Sequence, residues 1–333
     1  MLAAVVREHG DIGNILLEEN FPDPAPGPGW VRIRVRASSL NYHDIFSRRG
    51  MPGITLPLPL VIGSDIAGEV ESLGDEVTGV EVGDRVLIDP LLPTKGMIGE
   101  RWDGGRAELC LAHASQLVPI PDNVSFEVAS SIPLAYATAH RMMVTRGKVN
   151  ADDTVLVMGA SGGVGTACVL LAKRVGATVI SCASSEDKIE RLKALGSDEC
   201  INYIESDMRT AAWDLVGKPK ITGEGGVSLF VNCTGGGSWM DSIRCIKVGG
   251  RLVTCGATAG FEEDIDVRYV WTFEHSLLGS NGWRRSDITT LLDQASDDSL
   301  LPVIDKVMPL TAVREAEQLM EDRAVFGKIV LTP

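Results

Sequence analysis

The chain has 333 residues, of which 44% are apolar and 36 are glycine. That is longer than one hydrophobic core normally supports, and the composition is that of a globular α/β chain, so two domains are expected. Its 45 acidic residues outweigh 31 Lys and Arg to give a net charge of −14, which leaves no basic footprint for nucleic acid. No stretch approaches the roughly 18 successive apolar residues of a membrane span. The apolar run 1–6 is ended by Arg7, Glu8 and His9 before it could serve as a signal segment. A cytoplasmic location is the default expectation.

The first 120 residues read as strands and tight turns. VRIRVRASSL (31–40) alternates with period two, placing Val31, Ile33 and Val35 on one face and arginines on the other. GSDIAGEVESL (63–73) and DRVLI (84–88) continue that texture. Turn residues punctuate it at 24–29 (PAPGPG), 50–53 (GMPG) and 74–79 (GDEVTG), which predicts a twisted β domain. From about Val155 the pattern changes. TVLVM predicts a buried strand, ASGGVGTACVLLAKRVG a turn into a helix, ATVISCAS a second strand and SSEDKIERLKALG a second helix. A short strand follows at 199–202, then strands in SLFVN and GGRLVTCGA with a helix over 239–248 between them. Apolar strands alternating with amphipathic helices predict a doubly wound parallel sheet of the Rossmann type, covered on both faces. The final fifty residues return to two helices (DITTLLDQASDD, VREAEQLMEDR) and a closing strand (GKIVLTP).

Seven cysteines occur, at 110, 168, 182, 200, 233, 245 and 255, with no C-x-x-C pair. Most lie in apolar runs and read as small core residues of a reducing compartment, not as a disulfide framework or a cysteine-rich zinc site. Cys233 and Cys255 carry a redox reading as well, the weaker of the two.

The segment Gly159-Ala160-Ser161-Gly162-Gly163-Val164-Gly165 stands between a predicted strand and a predicted helix, where a dinucleotide fingerprint must stand. Gly162 lets the backbone approach a pyrophosphate, Gly165 lets the helix pack on the strand, and the helix N-terminus offers amides to phosphate. Ala160 departs from strict G-x-G-x-x-G, so the βαβ context carries most of the weight; the alternative is a Gly-rich turn without ligand. A site for NAD normally places an acid about 20 residues further on, at the end of the second strand. Here Cys182-Ala183 is followed by Ser184 and Ser185, with Lys188 one turn into the next helix. These residues favour a 2′-phosphate and hence NADPH. Glu186 and Asp187 are the countersign, unless they are only first-turn acids of the helix.

Along essentially its whole length the chain resembles the medium-chain dehydrogenase/reductase superfamily. The matching stretches are SSLNYHD (38–44), GSDIAGEVESLGDEVTGVEVGDRV (63–86), GGRAELC (104–110), LVPIPDNVSFEVAS (117–130), GASGGVG (159–165), NCTGG (232–236) and GKIVL (327–331). The resemblance implies a β-rich GroES-like catalytic domain, 1–126 with 283–333, a Rossmann domain over 127–282, and an active site in the cleft between them. It places the catalytic-zinc ligands of the metal-dependent members at Asn41, Ser64-Asp65 and Leu134. Zinc takes Cys, His or carboxylate, so Asp65 alone does not supply a site. The four-cysteine lobe is also missing, since 89–110 holds only Cys110. No metal is expected, although His43 and His140 stand near enough in register to be considered as substitutes.

Zinc-free branches of the superfamily reduce conjugated acceptors, and this chain is similar to its quinone oxidoreductases and enoyl reductases. The implied reaction is NADPH-dependent hydride transfer to a quinone, enone or enoyl thioester. The enolate charge would then be met by hydrogen-bond donors. Asn41 and Tyr42 are the catalytic candidates, with equal alternatives as a turn-stabilising amide and a packed aromatic. By the same resemblance Tyr203, Asn232, Cys255, Gly256 and Lys328 join Ser161, Gly162, Gly163, Val164, Gly165, Ser184, Ser185 and Lys188 as cofactor-binding candidates. Trp271 and Phe273 precede the family's last Rossmann strand, which pairs across a homodimer. Trp102 is a candidate to line or cap the pocket. Two rival readings stand beside this one: an alcohol dehydrogenase with a metal on His43, Asp65 and His140, and an NADPH-binding protein without catalysis.

Overall fold

Alternation over 31–40 becomes the strand Trp30–Ser39, which buries Val31, Ile33 and Val35 and turns its arginines outward. There Arg32 and Arg34 pair with Glu71, and Arg36 with Glu69, all on the antiparallel neighbour Asp65–Leu73. Cross-strand charge pairs of this kind help to fix register. The computed structural model describes residues 1–50 and 55–333, so the turn read at 50–53 lies outside the described residues apart from Gly50. The chain forms two units, Met1–Tyr136 with Arg285–Pro333, and Ala137–Arg284.

In the first unit, the main sheet runs in the order Leu117–Pro119, Arg85–Ile88, Asp65–Leu73, Trp30–Ser39, Lys328–Thr332, Ile304–Pro309. Leu109–His113 also pairs with Trp30–Ser39. Val31, Ile33, Val70, Val86 and Ile88 share one core beneath it. The closing strand Lys328–Thr332 lies antiparallel to Trp30–Ser39, with Val330 opposite Ser39, and so carries Lys328 to the segment where the helix Tyr42–Arg49 begins. Neither that helix nor the strand Ile304–Pro309 was expected from the sequence. The helix hides polar groups rather than an apolar stripe, with Asp44, Ser47 and Arg48 among its buried residues. Strand Ile304–Pro309 is an edge with no fully buried residue, so it carries no period-two signature.

The polar groups of that helix enter a buried ionic network. Arg106 donates to Asp44 (2.9 Å) and to Glu317, and Arg48 donates to Glu317 (2.7 Å) and to Glu321. The side chains of Arg48, Arg106 and Glu317 are at most 1% exposed. Glu317 and Glu321 come from the helix Val313–Glu321. Alternating charges, each hydrogen-bonded, are what allow ions to remain in an interior.

The second unit contains six parallel strands in the order Glu199–Asn202, Thr178–Ala183, Thr154–Met158, Val227–Asn232, Ile246–Thr254, Ser276–Gly279. This is the doubly wound order, with a reversal between the Thr154–Met158 and Val227–Asn232 strands. Leu156, Ile180, Phe230 and Leu252 stand at one register level on four neighbouring strands and pack into one core. Two expectations are corrected here. The helix expected over 239–248 is Trp239–Arg244, because the chain is already extended from Ile246, with a register shift against Val227 and Leu229. Met208–Val216 forms an additional helix, capped by Asp207, whose Oδ1 accepts from the Thr210 amide at 2.8 Å. Trp271 lies in the short helix Val267–Thr272.

Asp153 ties the start of this sheet together. It accepts from Arg251 (2.6 Å), Ser228 (2.6 Å) and the Asn150 amide (3.0 Å). Burial alone would raise its carboxyl, but these donors outweigh burial and hold it below its ordinary value of 3.8. A depressed folded-state pKa stabilises above the unfolded value, and that stability is lost as pH falls through the folded one. Asp153→Asn is therefore expected to be less stable than the parent at neutral pH, with the gap closing as urea titrations are repeated below about pH 4. A gap that did not change with pH would contradict an ionised Asp153.

Candidate active site

In the second unit the fingerprint segment forms the turn between strand Thr154–Met158 and helix Gly163–Arg174. Gly159 has a φ of +66°, and a Cβ on Gly165 would lie 2.3 Å from the Gly159 carbonyl oxygen, so both positions require glycine. Gly162 is the N-cap and is extended; a Cβ there would meet nothing nearer than 3.7 Å. No side chain caps the twelve-residue helix, so the first-turn amides around Gly163, Val164 and Gly165, next to Ser161, face outward as anion donors. The cradle fits a dinucleotide pyrophosphate.

Ser184 and Ser185 follow the strand Thr178–Ala183, Lys188 lies in the first turn of the helix Glu186–Ala194, and Tyr203 follows the strand Glu199–Asn202. The Tyr203 amide donates to the Ala183 carbonyl (3.1 Å), and its ring packs on the core of the sheet. Ser185 caps the helix Glu186–Ala194. Glu186 accepts from the Asn202 amide at 3.0 Å, so the nearest acid is engaged by the adjoining strand.

Asn232 is fully buried and fully committed. Its Nδ2 donates to Ser238 and Ser242 (2.9 Å each), and its Oδ1 accepts from the Thr234 (2.9 Å) and Gly235 (3.0 Å) amides. What it contributes is the shape of the loop at the end of its strand. Cys255 and Gly256 follow the neighbouring strand, beside a cavity of about 340 Å³ lined by Trp239, Thr254, Gly256 and Phe261. A larger cavity of about 490 Å³, lined by Arg209, Trp213, Arg244 and Ile246, lies at the opposite, amino end of that strand. Ligands of open α/β sheets bind at the carboxyl ends, which favours the smaller one.

In the first unit, Asn41 and Lys328 meet at Asp65, a position that the resemblance assigns to a metal ligand. Lys328 Nζ donates to Leu40 O (2.7 Å), Asn41 Oδ1 (2.6 Å) and Asp65 Oδ2 (3.4 Å). Asp65 Oδ2 also accepts from Asn41 Nδ2 (2.9 Å) and Ser39 Oγ (3.0 Å), and its Oδ1 accepts from the Leu134 amide (2.9 Å). Leu134 lies in the π-helical turn Ile132–Tyr136. Asp65 is fully buried and Lys328 nearly so. Burial raises the Asp65 carboxyl, opposed by Lys328 and Asn41, and burial lowers the Lys328 ammonium, opposed by Asp65. Asp44, the third residue of the helix Tyr42–Arg49, holds the Asn41 amide N–H (2.9 Å), joining this cluster to the ionic network. Tyr42 opens the helix, half-buried and edge-on to Phe46 at 5.1 Å.

The other candidates are placed elsewhere. His43 is paired with Glu100; burial alone would lower its pKa, but the carboxylate wins and raises it. His140 ends the helix Ala137–His140 of the second unit. Trp102 packs edge-on against Trp30 and donates to the Leu111 carbonyl (3.0 Å), as part of the β core. Zinc does not fit the positions assigned to it: an amide, one carboxylate with both oxygens already engaged, and a leucine. Among the described residues no three His, Cys, Asp or Glu side chains are grouped to hold a metal ion. Also among the described residues, no helix is long and apolar enough to cross a membrane.

Two family models match the chain: a zinc-binding dehydrogenase model over 163–297 and an alcohol dehydrogenase GroES-like domain over 27–122. A solved structure of an NAD-dependent alcohol dehydrogenase is 36% identical, with all of both chains covered and a TM-score of 0.91. A 2-haloacrylate reductase of Burkholderia sp is 29% identical over 100% of this chain and 99% of its own. A quinone oxidoreductase of Rattus norvegicus is 27% identical over 99% of this chain and 97% of its own. The chain belongs to the medium-chain dehydrogenase/reductase superfamily, whose members are oxidoreductases that use a nicotinamide dinucleotide.

Removing one charge of a buried pair leaves the other uncompensated. Lys328→Met is expected to cost about 3–5 kcal/mol in chemical denaturation. Adding Asp65→Asn should recover part of that loss; strictly additive losses would mean that the two charges are not coupled.

Proposed function

We propose that this protein is an NADPH-dependent reductase of α,β-unsaturated carbonyl or quinone acceptors that works without zinc. The observation that carries the reading is the Lys328–Asn41–Asp65 cluster. Where a metal-dependent member would need a ligand set, this chain has a charge-balanced, hydrogen-bonded cluster instead. The 2-haloacrylate reductase and the quinone oxidoreductase, named for conjugated acceptors, support the same direction.

When bound, the nicotinamide supplies a hydride, and negative charge then builds on the carbonyl oxygen of the acceptor. Asn41 is oriented for that charge. Its Oδ1 faces the Lys328 ammonium and its Nδ2 faces the Asp65 carboxylate, so a flipped amide would oppose like to like. One Nδ2 hydrogen goes to Asp65; the second is a fixed donor that needs no reorganisation as the oxyanion forms. Tyr42 presents a phenol at the same helix start, as a further donor and a proton source. The β-rich part, 1–126 with 283–333, carries these groups, and 127–282 carries the dinucleotide. Gly162, Gly163, Val164, Gly165 and Ser161 take its pyrophosphate, Gly256 and Cys255 border its nicotinamide end, and Asn232 shapes the loop beside them. Lys328 acts by holding Asn41. A homodimer through the edge strand Ser276–Gly279, beside the 70% exposed Trp271, completes the assembly.

Chelator-treated protein is expected to oxidise NADPH with enones or quinones at an unchanged rate, and Asn41→Ala to lower kcat by about 10²–10³-fold. Activity confined to aldehydes, ketones or alcohols, and lost on chelation, would instead support a metal-dependent alcohol dehydrogenase.

The NADPH preference rests on Ala183-Ser184-Ser185, where no carboxylate meets the ribose, and on Lys188 and Tyr203 beside them. Ser184→Asp is expected to weaken NADPH binding about tenfold or more, some 1.4 kcal/mol, while sparing NADH. Fluorescence titration with both dinucleotides reads this directly, and equal weakening of the two would count against a 2′-phosphate site.

A further inference from the structure

Cys233 and Cys255 each stand two residues beyond the paired residues Val231 and Val253, on the neighbouring parallel strands Val227–Asn232 and Ile246–Thr254. Their side chains therefore leave the sheet on the same side, at the same level. The two sulfurs are 3.3 Å apart, against about 2.05 Å in a disulfide. The main chain around them is already laced: Thr258 N donates to Cys233 O (3.3 Å), Ala259 N to Thr234 O (2.7 Å) and Gly236 N to Gly260 O (2.9 Å). Both residues are half-buried.

The remaining cysteines differ. Cys110, Cys168, Cys182 and Cys245 are buried, and burial pushes their thiols up, to about 12 for Cys110 and Cys245. Cys200 is half-buried, and its S–H points at the Ile189 carbonyl at 4.0 Å. Only at 233 and 255, among the described residues, does one thiol donate to another. That hydrogen bond pulls Cys233 down against the effect of burial and pushes Cys255 up.

We propose that Cys233 and Cys255 are a hydroperoxide-responsive pair that closes reversibly to a disulfide at the carboxyl ends of two adjacent strands. Cys233 is the attacking sulfur and Cys255 the resolving one. In the first step the Cys233 thiolate attacks one oxygen of hydrogen peroxide. An S–O bond forms, the O–O bond breaks, and the hydroxide released takes a proton to become water. The sulfur, now a sulfenic acid, has lost two electrons to the peroxide. In the second step the Cys255 sulfur attacks Cys233. The S–S bond forms, the S–O bond breaks, and hydroxyl leaves with the Cys255 proton as a second water. Two thiols and one peroxide give one disulfide and two waters. A small-molecule dithiol reverses the link by exchange. Cys255 borders the nicotinamide end in the function proposed above, so the readout chosen is mass rather than turnover, and it does not depend on that function.

The test treats the reduced, folded protein with hydrogen peroxide, blocks residual thiols with N-ethylmaleimide, and measures intact and peptide masses. The expected product has lost two hydrogen atoms, with the 233- and 255-containing peptides cross-linked and released by dithiothreitol. In Cys255→Ser the reaction should stop at a Cys233 sulfenic acid that dimedone traps, and Cys233→Ser should form neither link nor adduct at 255. Free alkylation of both thiols after peroxide would overturn the proposal. So would separate sulfinic or sulfonic products without a link, or a link mapped to another pair.

Discussion

Keeping the Lys328 ammonium and the Asp65 carboxylate inside the β-rich unit strips both of water, an expense that only mutual attraction and complete hydrogen bonding offset. Both charged groups are accordingly hydrogen-bonded. Lys328 spends its three hydrogens on Leu40, Asn41 and Asp65, while Asp65 receives Ser39, Asn41 and the Leu134 amide as well. The same requirement propagates outward. Asp44 fixes the Asn41 amide and faces Arg106, Arg106 faces Glu317, Glu317 faces Arg48, and Arg48 faces Glu321. Signs alternate along the chain of contacts, so no buried charge stands beside only its own kind.

This constraint explains local features that propensity does not. The helix Tyr42–Arg49 buries Asp44 and Arg48 where an apolar stripe would be usual, because its inner face is a set of ion-pair partners. It also decides what chemistry the neighbourhood can support. In the function proposed here, an amide clamped between an ammonium and a carboxylate is a rigid donor for a developing oxyanion, and the same clamp engages both oxygens of Asp65. The second unit follows a simpler rule. Its Gly-rich turn is main chain, shaped by Gly159 and Gly165, where only glycine fits, and the loop after the strand Val227–Asn232 is held by the saturated Asn232.

Much of the fold was legible because its signals are local. Period-two alternation at 31–40, uninterrupted apolar strands and a Gly-rich turn between strand and helix each lie within a dozen residues. The elements missed lack such a signal. Ile304–Pro309 is an exposed edge and Tyr42–Arg49 an ionic helix, while the boundary at Arg244–Ile246 was moved by strand pairing that starts before the predicted turn. Within the candidate site, Asn41, Tyr42 and Lys328 were named by resemblance. Arg48, Arg106 and Glu317 were not, and Asp65 was weighed only as a ligand. Arg106 in GGRAELC and Asp65 in GSDIAG leave one trace, a charged residue inside an otherwise apolar or Gly-rich stretch, whereas Arg48 and Glu317 stand among other charged residues and leave none.

By itself the sequence determined the doubly wound sheet, the Gly-rich turn between strand and helix and the absence of an acid at 183–185, since each depends on residue types at short spacing. Only the tertiary structure decided which groups neutralise one another. Lys328 and Asp65 are 263 residues apart, Arg48 and Glu317 are 269 apart, and Cys233 and Cys255 meet only because their strands are neighbours in the sheet. Charge pairing and sulfur contact depend on distance in space and leave no periodic mark along the chain. They become readable only when the strand Lys328–Thr332 has closed against Trp30–Ser39 and Ile246–Thr254 has settled beside Val227–Asn232.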